Sequence, residues 1–90
     1  MKIKEKEFEE ILQELKSVAD QLGASVRFEK GDFKGGYCLI HEKKVIVINR
    51  TTNLQRKVMI LSTALKELGI DEVYLNPRIR EIIEEMSATT

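Results

Sequence analysis

"FKGGYCLIHEKKVIVINR", residues 33–50, is the stretch that decides the fold. It holds the only cysteine, Cys38, the only histidine, His41, a glycine pair and the strongest strand signal in the chain. "GYCLIH" (36–41) and "KVIVIN" (44–49) read as two strands joined by a tight turn at Glu42–Lys43. The second is rich in β-branched residues, which suit a pleated, packed surface. Its unbroken aliphatic run, Val45–Ile48, departs from alternation. That strand is therefore expected to be central in its sheet or covered on both faces.

The same stretch raises the question of chemistry. A catalytic thiol needs an imidazole within hydrogen-bond reach. On a regular strand, residues three apart point to opposite faces, which separates Cys38 from His41. Cys38 is expected to be a small buried thiol and His41 a solvent-facing residue beside a turn. A reactive thiol at Cys38 is the competing reading.

Towards the N-terminus, "ASVRFEK" (24–30) alternates with Val26 and Phe28 on one face and reads as a half-buried strand. "KGDFKGG" (30–36) is a turn-rich connection whose glycines suit a bulge or a close backbone approach. Residues 3–22 form an amphipathic helix, with Phe8, Ile11, Leu12, Leu15, Val18, Ala19 and Leu22 at spacings of three and four. Gly23 ends it.

Towards the C-terminus, "TTNLQRKVMILSTALKELG" (51–69) is a second helix, with Thr52 and Gln55 as a capping box. Leu54, Val58, Leu61, Leu65 and Leu68 make its apolar stripe. "DEVYL" (71–75) is a short extended segment that either adds a strand or crosses a sheet edge. Asn76 as N-cap and Pro77 at the first helical position begin a third helix, burying Ile79, Ile82, Ile83 and Met86. "SATT" (87–90) is expected to fray. The expected fold is α+β and spans residues 1–90 as one domain. Its order is helix, three antiparallel strands, helix, short extended segment, helix. Two layers are expected, with the first two helices on one sheet face.

Composition removes several function classes. The first ten residues are charged throughout, and the longest aliphatic runs, "VIVI" and "VMIL", are far shorter than a secretory or membrane-spanning segment. A soluble cytoplasmic protein is expected. One cysteine makes neither an intramolecular disulfide nor a cysteine-rich zinc site. Glu29, Asp32 and Glu42 lack calcium-loop spacing. "GDFKGG" lacks the phosphate-loop pattern and leads into a strand, not a helix. No catalytic residue, metal or cofactor is expected.

Charge is balanced overall, with 15 Lys and Arg against 15 Asp and Glu, but it is unevenly spread. Residues 1–22 carry four lysines and six acids, residues 23–66 nine basic residues and three acids, and residues 67–90 two arginines and six acids. The preferred reading is that acidic terminal helices pack against a basic middle. The other is that Lys43, Lys44, Arg50, Arg56 and Lys57 form one anion or nucleic-acid surface. Few aromatics accompany them as stacking platforms, and a lysine at a hairpin tip also guards against edge-to-edge association.

"GGYCLIHEKKVIVIN…QRKVMILSTALKEL" resembles the hairpin-plus-helix core of the ImmA/IrrE-type zinc metallopeptidases over residues 35–68. In that family the helix carries H-E-x-x-H, two zinc-binding histidines flanking a glutamate general base. The matching positions here are Thr63, Ala64 and Glu67. The resemblance thus implies a metal-free relative that keeps the scaffold. The chain is also similar to small bacterial α+β proteins in which a glycine pair and a cysteine lead into such a hairpin, which implies an autonomous small fold and no activity.

The expected function is non-enzymatic: binding, through self-association or a protein partner. Two features point there. The first and third helices carry more apolar positions than three strands cover, and Val45–Ile48 asks for cover on both faces. An anion- or nucleic-acid-binding module is the alternative.

Overall fold

The computed structural model describes residues 3–33 and 35–88. Its elements are helix α1 (Glu5–Gln21), strands β1 (Ala24–Glu29), β2 (Gly35–Ile40) and β3 (Lys43–Asn49), and helices α2 (Leu54–Leu68) and α3 (Pro77–Ala88). The strands lie in the order β1-β3-β2. β2 and β3 pair antiparallel, but β1 pairs parallel to β3. The expectation of three antiparallel strands is therefore corrected to a mixed sheet.

The reason lies in β3. In a meander it would be an edge strand, and its aliphatic run would have one ladder and exposed flanks. Slotted between β1 and β2 it has a neighbour on each side, as its continuous pattern requires. The connection from β1 to β2 spans two inter-strand spacings, about 10 Å, which a five-residue segment covers easily. Asn49, the last residue of β3, fastens that crossing. Its Nδ2 donates to the carbonyls of Gly31 at 2.8 Å and Phe33 at 2.7 Å, while its Oδ1 accepts from the Thr51 amide and hydroxyl.

Alternation assigns the two faces. Ala24, Val26, Phe28, Tyr37, Ile46 and Ile48 face the helices and join the core. α1 packs on β1, α2 packs on β2 and β3, and α1 and α2 pack on each other. Of the expected stripes, Phe8, Ile11, Leu12, Leu15, Val18 and Ala19 of α1 and Val58, Leu61 and Leu65 of α2 are buried, while Leu22, Leu54 and Leu68 are half-buried against the core. α3 touches α2 and α1 and no strand among the described residues. Ile79, Ile82, Ile83 and Met86 are buried there. α2 is thus packed between the sheet and α3, and the surplus apolar positions of the first and third helices are absorbed within the chain. Ser62, on α2, is fully buried, and its hydroxyl has no partner among the described residues.

Several boundaries move. α1 begins at Glu5, two residues later than the pattern suggests, and Lys4 gives it no side-chain cap. The cap of α2 is Asn53, whose Oδ1 accepts from the Arg56 amide at 2.8 Å, in place of a Thr52–Gln55 box. Asn76 caps α3 as expected, accepting from Ile79 at 2.9 Å. "DEVYL" forms no strand; it is an irregular link that buries Leu75. In "SATT", Ser87 and Ala88 belong to α3, and Thr89 and Thr90 lie outside the described residues. Ion pairs tie the helices at their rims: Lys66–Glu84 joins the basic middle to the acidic C-terminal segment, while Arg78–Glu7 joins the two ends. Both are exposed and contribute at most about 1 kcal/mol each.

The β2–β3 turn is His41–Glu42, one residue before the expected Glu42–Lys43. This register sets Tyr37 opposite Ile46 and Gly35 opposite Ile48, and Tyr37, Ile46 and Ile48 all join the core. Both turn residues have positive φ, 52° and 64°, as a type I′ turn demands. Neither is a residue that adopts this region readily. Replacing the pair with Asn-Gly (His41→Asn with Glu42→Gly) should stabilise the fold by about 1 kcal/mol. Thermal denaturation should then show a midpoint about 4–8 °C higher.

Candidate functional site

The basic residues do not form one patch. Lys43 and Lys44 open β3, whereas Arg50 follows its far end. Arg50 lies seven residue steps beyond Lys43 along an extended chain, about 23 Å. Lys44 lies on the helix side, where its Nζ donates to the Leu22 carbonyl at 3.4 Å, at the C-terminal end of α1. The site expected at Lys43, Lys44, Arg50, Arg56 and Lys57 therefore divides into two groups. The physical reason is that β3 runs straight between them.

The second group gathers at the start of α2. That helix has no acidic residue in its first turn, where Arg56 and Lys57 stand instead. Their charges oppose the helix dipole. Lys57 Nζ lies 5.7 Å from the centre of the Phe28 ring, and Lys16 Nζ of α1 lies 5.3 Å from it. Nothing in the patterning of α1 singles out Lys16 as part of the basic group. The signal that could have drawn it in is Phe28, the aromatic of β1 that the alternation turns towards both helices.

Cys38 is exposed, not buried. Even-numbered positions of β2 face away from the helices, and Cys38 sits on that open face opposite Val45. The expectation of a buried thiol fails because only one face of the sheet is covered. His41 is in the turn, and no hydrogen bond joins it to Cys38 among the described residues. The positions matching the metallopeptidase motif are all on α2. Thr63 donates its hydroxyl to the Met59 carbonyl at 2.9 Å, Ala64 is buried in the core and Glu67 is exposed. Among the described residues no three His, Cys, Asp or Glu side chains converge as metal ligands do.

The open face carries Ser25, Arg27 and Glu29 from β1, Val45 and Val47 from β3, and Gly36, Cys38 and Ile40 from β2. Arg27 and Glu29 pair along β1 at 3.1 Å. Val45 is only 6% exposed although no helix packs on that face, so its neighbours in the sheet already shelter it. The sheet's most accessible apolar surface lies instead at one edge. Leu39 is 61% and Ile40 43% exposed, and Phe33, just before β2, is 39% exposed. β2 is an edge strand with no charged residue and no proline. Such an edge offers unpaired backbone groups and apolar side chains together, the combination that soluble proteins usually blunt.

A shallow cleft of about 240 Å³ lies beside α1, lined in part by Ser17, Val18, Tyr74 and Ile79. No helix among the described residues is long and apolar enough to cross a membrane. No protein-family model, curated protein or solved structure matches the chain.

Proposed function

We propose that this chain is a small non-enzymatic cytoplasmic protein that works by binding protein, through self-association. The observation that carries the reading is the edge strand β2, with its exposed Leu39 and Ile40 and its lack of any charge. The apolar helix positions and Val45 do not themselves call for a partner, since α3 packs on α2 and Val45 is sheltered within the chain. The edge replaces them. The likeness to the metallopeptidase core enters only as a shared scaffold, with Thr63, Ala64 and Glu67 where that family binds zinc.

Light scattering over a micromolar concentration series tests this. The expected result is a mass rising towards twice the 10.4 kDa of one chain. A mass that stays at one chain throughout would remove the reading.

A second reading has an observation of its own. Arg56 and Lys57 stand in a first helical turn that carries no acid, Arg50 precedes it, and Lys16 shares the Phe28 ring with Lys57, an arrangement suited to phosphate groups. It predicts retention on heparin at low salt, reduced when Arg56 and Lys57 become Glu. Passage through the column without retention would remove it.

A further inference from the structure

We infer that the occupant of the β2 edge is a second copy of this chain, added antiparallel across a twofold axis that passes between the two Cys38 residues. This rests on the self-association reading and adds the surface, the direction and the register.

The backbone sets the direction of each group. A two-residue hairpin closes on a hydrogen-bonded pair, here Ile40 and Lys43, and the pattern alternates from there. Cys38 and Ile40 therefore turn their backbone N–H and C=O towards β3. Tyr37 and Leu39 turn theirs outward, to the edge that has no partner among the described residues.

A twofold between antiparallel strands lies normal to the sheet and keeps every residue on its own face. The registers it allows are those with one residue facing its own copy. With Cys38 on the axis, Tyr37 faces Leu39 of the second copy and Ile40 faces its Gly36. The outward amide of Tyr37 then donates to the Leu39 carbonyl of the other chain, the Leu39 amide donates to the Tyr37 carbonyl, and the twofold repeats both. Leu39 gains an aromatic neighbour on the helix side, a favourable cross-strand pair. Ile40 lies over a glycine, which has no side chain to obstruct it. An axis at Tyr37 would carry Ile40 past the end of the opposing strand. An axis at Leu39 would leave Gly35 and Gly36 unpaired.

Charge favours a copy of the same strand. Gly35–Ile40 has no ionisable group other than the Tyr37 phenol and the Cys38 thiol, so the axis brings no like charges together. The opposite edge, β1, carries Arg27 and Glu29. The overlap, Gly36 to Ile40, is short, about 17 Å of ladder. That places the contact at the small end of specific interfaces and makes the dimer concentration-dependent.

Cys38 and its copy form a non-hydrogen-bonded pair, with Cα atoms about 4.5 Å apart. That separation is within reach of a disulfide. The bond is a readout only and no part of the association. Diamide, the added oxidant, accepts the two electrons and two protons that the two thiols lose on joining. The expected result at tens of micromolar protein is a disulfide-linked dimer on a non-reducing gel. A variant with the cysteine moved to the open face of β1 (Cys38→Ser with Ser25→Cys) should stay a single chain. Leu39→Lys should weaken the dimer about tenfold or more by sedimentation equilibrium, with circular dichroism confirming that this exposed position leaves the fold intact. If the protein is dimeric but Cys38 does not cross-link and Leu39→Lys changes nothing, edge pairing is overturned while self-association stands. A chain that stays monomeric at every concentration overturns both. So does a monomer that captures an extended peptide on β2 without pairing with itself.

Discussion

Replacing Gly35 with alanine is expected to destabilise the fold by roughly 3 kcal/mol, the scale of local strain combined with a steric clash. Gly35 opens β2 with φ +126°, a conformation that side chains rarely adopt. A Cβ built there would lie 2.4 Å from the Val47 carbonyl oxygen and 3.1 Å from the Ile48 Cα. Both are backbone atoms of the central strand, so neither can swing aside as a side chain would. Thermal denaturation should show a midpoint lower by about 12–24 °C, given roughly 4–8 °C per kcal/mol in a domain of this size. Gly36→Ala is the control. Gly36 has φ +153°, but a Cβ there meets nothing within 4 Å, so only the backbone term remains. It should cost about 1 kcal/mol. Equal effects at the two glycines would show that the close approach of β2 to β3 is not what sets Gly35 apart.

The second large effect is expected at Asn49. Asn49→Ala removes the two donated bonds that hold Gly31 and Phe33, and the two accepted from Thr51. Each such bond is worth about 0.5–1.5 kcal/mol net, and these compete with water at a partly exposed site. A total near 2 kcal/mol follows, or about 8–16 °C in the midpoint. Asn49→Asp separates hydrogen bonding from shape. It keeps the acceptor for Thr51 but sets a carboxylate against two carbonyl oxygens, so it should cost at least as much as alanine. An aspartate variant as stable as the native protein would show that the crossing segment does not depend on this residue.

Asn49 also shows where local reading stopped. "VIVIN" carried a strand ending in asparagine, and the strand and its end are there. Nothing in the spacing said that the amide would reach back to Gly31 and Phe33, because those contacts exist only once β1 and β2 flank β3. The five residues between β1 and β2 suit a loose hairpin as well as a skipped strand. The turn behaved similarly. His-Glu has none of the Asn-Gly preference that marks a type I′ turn, so spacing alone places the turn one residue late. The cap of α2 shifted for a comparable reason. Thr52 and Asn53 are both competent caps, and only the start of the buried stripe decides between them.

The candidate site was legible as residues and illegible as a place. Cys38, the lysine pair and the arginines could all be named from their types. Their grouping depended on a strand that sets Lys43 and Lys44 about 20–23 Å from Arg50. It also depended on which sheet face the helices left open.

The sequence by itself determined the three helices, the three strands, the stripe each helix buries and the asparagine that starts α3. These follow from periodicity and capping, which act over a turn or two of chain. Only the tertiary structure decided the order β1-β3-β2, the parallel pairing of β1 with β3, the exposure of Cys38 and the free apolar edge of β2. Strand neighbours are chosen by backbone hydrogen bonds between distant segments, and those bonds leave no mark on the spacing of side chains along the chain.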